Sequence, residues 1–279
     1  MPTSPRPGPF RTVPFRPERN ATLDTLRLAR TRHGVPILLE VDVTAARAAL
    51  RAYRQGTGRP LGFTAWIVSC VARAAAEHPR VHALRRGRRE LVLFREVDVA
   101  VIVERGVGSP DGGETLPMPV VVRRAEAKHP SAIQRELRRA QEVDVAGGSA
   151  SIEAPAAPWL QSLFFRLPWW LRDAVLWRPL LADPHRFQRT MGTVIVTSVG
   201  MTTPGILAWG IPSALHPLAI GVGGVQTRTH GTETVETLAL TVVFDHTVVD
   251  GAPVGRFVRR LHGLLSRADL PAAEPEPAD

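Results

Sequence analysis

The sequence predicts an α/β fold in which helices and strands are layered on one shared core. Three observations carry this. Strand-like and helix-like stretches alternate along the chain instead of separating into blocks. Between Phe63 and His78, residues Phe63, Trp66, Ile67, Cys70, Val71 and Ala74 follow the i, i+3, i+4, i+7 spacing of a helix with one apolar face. The last third is dominated by strand patterns and closes on a second amphipathic helix.

The elements follow in order. Residues 1–20 are rich in proline and arginine and are expected to be a disordered arm. Residues 21–33 have a helical pattern, and PILLEVDV reads as a strand. Thr44 is expected to N-cap the next helix and Gly56 to stop it. The helix from Phe63 ends at Pro79, with Cys70 on its buried stripe as a core residue. Short strands follow at VHALRR and ELVLF, then a strong one at VDVAVIVER. A Gly/Pro-rich loop leads to the strand MPVVVRR, and residues 130–142 form a polar helix with Pro130 in its first turn. A linker over 143–157 precedes an apolar helical insertion, residues 158–190. There Trp159, Leu163, Phe164, Leu167, Trp170, Leu171 and Val175 fall at helical spacing, with prolines near the helix starts. Arg166, Arg172 and Arg178 interrupt it, so it does not read as a membrane span. It reads as short helices packed on the domain or on a neighbouring subunit, with a lipid-surface lid as the sharper alternative. The strands GTVIVTSVG, LAIGVGGV and TVETLALTVVFDH and a helix from about Ala252 to Ser266 complete a domain over 21–267. Residues 268–279 are expected to be a disordered tail.

Composition excludes several classes. The chain has 279 residues, enough for a sizeable core, and 44% are apolar. It carries 35 basic and 26 acidic residues, a net charge of +9, and Lys128 is its one lysine. The arginines are scattered, not gathered on a stripe, so no nucleic-acid partner is expected, although a positive surface suits a phosphate-bearing ligand. A single cysteine excludes an intramolecular disulfide and a cysteine-based zinc cluster. The arm lacks the apolar region of a secretory signal, so a cytoplasmic protein is expected.

The chemistry-bearing stretch is Asp245-His246-Thr247-Val248-Val249-Asp250-Gly251. A long strand runs straight into a histidine, and Asp-Gly follows where a helix starts. Such a histidine can project into a cleft from a rigid support, while an aspartate at the turn can cap or pair. Asp245, His246 and Asp250 could ligate a metal, but no second histidine cluster completes a site, and no metal is expected.

FDHTVVDGAPVGRFVRRLHGLL resembles the C-terminal signature of the dihydrolipoyl acyltransferase catalytic domain of 2-oxo acid dehydrogenase complexes, roughly D-H-R-x-x-D-G-A. Chloramphenicol acetyltransferase shares its H-x-x-x-D-G core. GTVIVTSVGM with HPLAIGVGGV, LEVDVTAARAAL, GFTAWIVSCVARAAAEHPRVHA and FREVDVAVIVERG resemble further ordered motifs of that family, over most of residues 36–265. The resemblance implies a chloramphenicol-acetyltransferase-like two-layer sandwich, a mixed sheet with helices. It implies a homotrimer, or a multiple of trimers, with the active site between subunits.

It also implies roles. His246 matches the general base that takes a proton from an attacking thiol or hydroxyl. Thr197 stands where the family has a serine that donates to the tetrahedral oxyanion, with Ser198 as fallback one residue on. Asp250, followed by Gly251, matches the structural aspartate that pairs with an arginine and holds the histidine loop; Arg19 and Arg27 are candidates. Coenzyme A or an acyl-CoA is implied as substrate, with no covalent lipoyl group, since no lipoyl domain is expected ahead of the catalytic region. A lipoyl domain or another acyl carrier is an implied partner. Thr247 departs from the family's arginine, and the R-G-L-x-x-P-V loop is longer here. The sequence therefore supports an acyltransferase acting on a thiol, amine or hydroxyl acceptor. The alternatives are a non-catalytic trimeric scaffold and a membrane-surface acyltransferase with a lipid-like acceptor.

Overall fold

The computed structural model describes residues 19–107, 114–142, 163–200, 205–231 and 233–267, with isolated positions ahead of residue 19. Most of the predicted arm, the linker and the tail lie outside the described residues.

The chain opens with helix α1 (Arg19–Ala29), strand β1 (Gly34–Asp42) and helices α2 (Thr44–Thr57) and α3 (Phe63–Glu77). A small hairpin follows, β2 (Leu84–Arg86) with β3 (Glu90–Val92), and then β4 (Val99–Val107), β5 (Glu114–Val122) and α4 (Pro130–Glu142). The insertion contributes a continuous helical stretch, α5, running from Trp169–Arg172 through a π-helical turn at Asp173–Trp177 to Arg178–Ala182. Helix α6 (Pro184–Met191) leads into β6 (Val194–Ser198), the long strands β7 (Leu218–His230) and β8 (Glu233–Asp245), and α7 (Gly251–Arg267).

Six strands form one mixed sheet in the order β1-β8-β7-β6-β4-β5. β6 runs parallel to both β4 and β7; the other pairs are antiparallel. Alternate residues of the sheet, among them Val194, Val196, Leu218, Ile220, Leu240 and Val242, meet the apolar faces of α2, α3, α4 and α7 in one core. The helical periodicity of α3 and α7 is what supplies that face: Trp66, Ile67 and Cys70 on one, Val254, Phe257 and Leu261 on the other, are all buried. This is the two-layer arrangement that the sequence implies.

The opposite face of the sheet is crossed by the extended segment 206–212. Small residues make this possible. A Cβ on Gly221 would stand 2.3 Å from the Gly210 carbonyl oxygen, and one on Gly223 2.0 Å from that of Ala208. A bulge in β7 between Val222 and Val225 accompanies this crossing, and Trp209 Nε1 donates to the Leu39 carbonyl at 3.0 Å.

The ends of α2 differ from the sequence reading. Thr44 is the first helical residue, not the cap; its N–H is accepted by the Asp42 carboxylate at 2.9 Å, and its hydroxyl receives the Glu236 N–H. Gly58, at φ +68°, ends the helix rather than Gly56, and its N–H closes on the Arg54 carbonyl.

The insertion packs on the domain. Trp177 and Leu180 of α5 and Phe187 of α6 form a second core with Leu84, Phe94 and Leu215. α1 covers it: the Asp24 carboxylate receives the Arg172 guanidinium and the Trp177 indole N–H, and Arg27 lies 4.5 Å over the Trp169 ring. Trp170, two-thirds exposed, and Val175 stay on the outside.

Candidate active site

β8 carries its apolar alternation to Phe244 and ends at Asp245, and His246 is the first residue beyond it. The ladder with β1 pairs Asp245 with Gly34, and the next bond continues it: the His246 N–H donates to the His33 carbonyl at 2.9 Å. The backbone of the histidine is thus fixed to an edge strand while its side chain is exposed, 5.8 Å ring to ring from Phe244. Val248 and Val249, both buried, anchor the chain just after it.

The carboxylate that holds this loop is that of Asp245. It is buried, accepts from the Thr247 N–H at 3.0 Å and the Thr247 hydroxyl at 2.8 Å, and pairs with Arg32 Nη1 at 3.3 Å. The carbonyl of Asp245 also receives the N–H groups of Val248 and Val249. Asp250, expected to hold the loop through an arginine, is exposed at the start of α7. Its side chain makes no hydrogen bond or ion pair among the described residues. Its carbonyl receives the Val254 N–H in the first turn of α7, which Gly251 opens. The difference is physical: the end of β8 turns Asp245 inward against Arg32, whereas the Asp250 position faces solvent. Of the two expected arginines, Arg27 is stacked on Trp169. The RTRH run ahead of β1 held the signal for Arg32 and His33, but nothing local in the sequence links it to residue 245.

Thr197 is the penultimate residue of β6 and is half-buried. Val194 and Val196 face the helix layer, so alternation turns Thr197 to the face crossed by 206–212 and Ser198 toward the helices. Thr197 registers with Gly221 and, through it, with Thr241 of β8. His246 lies five residues beyond Thr241. At about 3.4 Å per residue along a strand and about 4.8 Å between strands, Thr197 and His246 of one chain stand roughly 20 Å apart. One chain does not bring them together.

Beside the histidine loop lies a cleft of about 540 Å³. His33, whose carbonyl accepts the His246 N–H, and Asp245 and Thr247, the chain neighbours of His246, are among its lining residues. Leu84, Phe187 and Leu215 give it apolar walls. Leu215 is followed by a buried histidine: His216 Nε2 donates to the Met191 carbonyl at 2.9 Å, while Nδ1 has no partner among the described residues. Burial holds the His216 imidazole down at about 4, against the bond to Met191 and aided by the Arg32 charge. His82, whose Nδ1 meets the Thr193 hydroxyl at 2.9 Å, is likewise pushed down to about 4 by burial. Both rings are neutral framework, not exposed acids or bases.

Among the described residues no group of three or more His, Cys, Asp or Glu side chains is placed to hold a metal ion, and no helix is long and apolar enough to cross a membrane.

The fold is shared with solved acyltransferase cores. A probable dihydrolipoamide acetyltransferase from Listeria monocytogenes 4b F2365 superposes with a TM-score of 0.62 at 17% identity, over 93% of this chain and 95% of that one. Dihydrolipoamide acetyltransferase from Azotobacter vinelandii, studied for the roles of a serine, a histidine and an asparagine in its mechanism, gives 0.62 at 19% identity, over 96% and 98%. A truncated catalytic core of the 2-oxoacid dehydrogenase multienzyme complex from Thermoplasma acidophilum gives 0.62 at 19%, over 93% and 100%. No curated protein matches the chain in sequence. The family model for 2-oxoacid dehydrogenases acyltransferase (catalytic domain) matches residues 7–149, a span that ends well before His246. With half of its length matched by that model and its two-layer fold shared with such cores, the chain belongs to the 2-oxoacid dehydrogenase acyltransferase (catalytic domain) family.

Proposed function

We propose that the protein moves an acyl group between coenzyme A and a thiol, amine or hydroxyl acceptor, with His246 as general base. The observation that carries this reading is the exposed His246 side chain on a backbone fixed by His33, its loop tied by Asp245 to Arg32. In the forward step His246 takes the acceptor's proton as the acceptor attacks the thioester carbonyl. The carbonyl becomes a tetrahedral oxyanion, to which the Thr197 hydroxyl donates. The carbon–sulfur bond then breaks, and the leaving thiolate takes the proton back from His246. Since His246 and Thr197 of one chain are far apart, the pair is assembled from two subunits of a homotrimer or a multiple of trimers. A separate lipoyl domain or another acyl carrier would present the acceptor, and the setting would be the cytoplasm.

The test is release of free coenzyme A from acetyl-CoA or a longer acyl-CoA, with dihydrolipoamide, an amine and an alcohol as acceptors. Acceptor-dependent release that disappears in His246→Ala supports the reading. No release with any acceptor, from a folded trimer, supports the alternative of a non-catalytic scaffold, which the exposed Asp250 side chain, without an ion pair among the described residues, favours. A membrane-surface version has less support, because Trp177, Leu180 and Phe187 of the insertion are spent on an internal core. Flotation with anionic vesicles would reveal it.

A further inference from the structure

The cleft beside the histidine loop has no role in the steps above, yet its construction is specific. Five separate stretches of chain converge on it: Thr31–His33 before β1, Leu84–Gly87 of the β2/β3 hairpin, Leu181–Phe187 of the insertion, Leu215, and Asp245 with Thr247. Leu84, Leu181, Phe187 and Leu215 give it apolar walls, while Thr31, Arg32, His33 and Thr247 add polar groups. Two cations, Arg32 and Arg85, also line it. Arg32 is engaged with Asp245, whereas Arg85, exposed on β2, has no ion pair or hydrogen bond among the described residues. Asp245 and Thr247, the chain neighbours of His246, line it, although His246 itself does not. At about 540 Å³ it is within the range of small-molecule sites and is far larger than an acetyl group needs.

We propose that this cleft receives the acyl chain of a coenzyme A thioester longer than acetyl. The inference rests on the acyltransferase reading and deepens it by naming a substrate class. An apolar wall next to a proton-transfer residue suits a hydrocarbon chain whose thioester end lies toward Thr247. The insertion sets the depth. Ala182, exposed at the end of α5 and lining the cleft, is the position where side-chain size can change chain length without disturbing the second core.

The experiment is equilibrium binding of acetyl-CoA and octanoyl-CoA by calorimetry, in the full chain carrying His246→Ala so that no turnover intervenes. The added methylenes are expected to give octanoyl-CoA at least about a tenfold advantage. Ala182→Trp is expected to reduce that advantage to about twofold or less while leaving acetyl-CoA affinity within about twofold. Equal affinity for the two esters, or a preference that survives Ala182→Trp, overturns the proposal. The two readings fail separately. Acetyl transfer by the unmodified chain without any octanoyl preference removes the cleft's role alone. An Ala182-sensitive octanoyl preference in a protein that transfers nothing removes the acyltransferase reading alone.

Discussion

Arg172 and Asp24 form a buried two-pronged ion pair, with Nε 2.7 Å from one carboxylate oxygen and Nη2 2.6 Å from the other. Their side chains are 7% and 3% exposed. The remaining guanidinium nitrogen, Nη1, is taken by the Phe165 and Leu167 carbonyls. The pair spans 148 residues and fastens α1 to α5. Removing one partner strands the other charge out of water. Asp24→Ala should therefore cost about 3–5 kcal/mol, read from urea denaturation, while Asp24→Leu combined with Arg172→Met should recover most of it. A loss under about 1 kcal/mol in the single variant would mean that the pair is not what fastens the insertion.

His246→Ala should lower turnover by on the order of 10²–10⁴ while the thermal transition stays in place, because the exposed ring makes no hydrogen bond among the described residues. A fully active purified variant would remove His246 as the base.

For Thr197 only the hydroxyl should matter. Thr197→Ala is expected to cost roughly 10²–10³ in turnover, and Thr197→Ser to be tolerated. Equal losses in both would point to packing of the β-branched side chain against the segment that crosses that face.

The separation of these two residues within one chain makes a sharper test of assembly. Sedimentation should give a trimer or a multiple of it. Inactive His246→Ala and inactive Thr197→Ala chains, refolded together, should regain part of the activity, since some interfaces then carry an intact pair. A fully active monomer, or mixtures that stay dead, would contradict a shared site.

Stability should fall on mild acidification. His82 and His216 are held at about 4 in the folded chain, against an ordinary value of 6.5. Between those values the unfolded chain binds more protons than the folded one, so stability rises with pH there. It is complete above about pH 6.5 and is lost progressively toward pH 4, by on the order of 3 kcal/mol for each ring. Urea midpoints at pH 7.5, 6 and 5 check this, and His216→Gln should flatten the dependence. A pH-independent midpoint in the unmodified chain would show that the rings stay accessible to protons.

Most of the architecture was legible because it follows local period. The spacing of Trp66, Ile67 and Cys70 announced α3, and the apolar alternation into Phe244 announced β8. DHTVVDG pointed to the position of the exposed histidine for the same reason: strand, turn and helix start lie within seven residues. What escaped was non-local or turned on one dihedral angle. Nothing near Asp245 signals that its partner is Arg32, 213 residues away; the Asp250–arginine pair that the resemblance implies has no counterpart among the described residues. Gly56 and Gly58 are equally good stop signals on paper; only the backbone at Gly58 enters the left-handed region. The packing of the insertion was open because Trp and Phe at helical spacing suit a protein core and a lipid surface alike.

The pairing of β1 with β8 sets the timetable of folding. Gly34 finds Asp245 only after some two hundred further residues have been made. At about 5–20 residues per second, that is roughly 10–40 s of synthesis. Through that interval the strand ahead of α2 has no neighbour to bond with, and closing so long a loop makes the final step slow even in the complete chain. His246 acquires its backbone partner in the same event. A nascent chain stalled short of β8 would thus present an unsatisfied edge with Val35 and Leu38 on it, a natural substrate for chaperones. On the proposed function, catalytic competence would be among the last properties the protein gains.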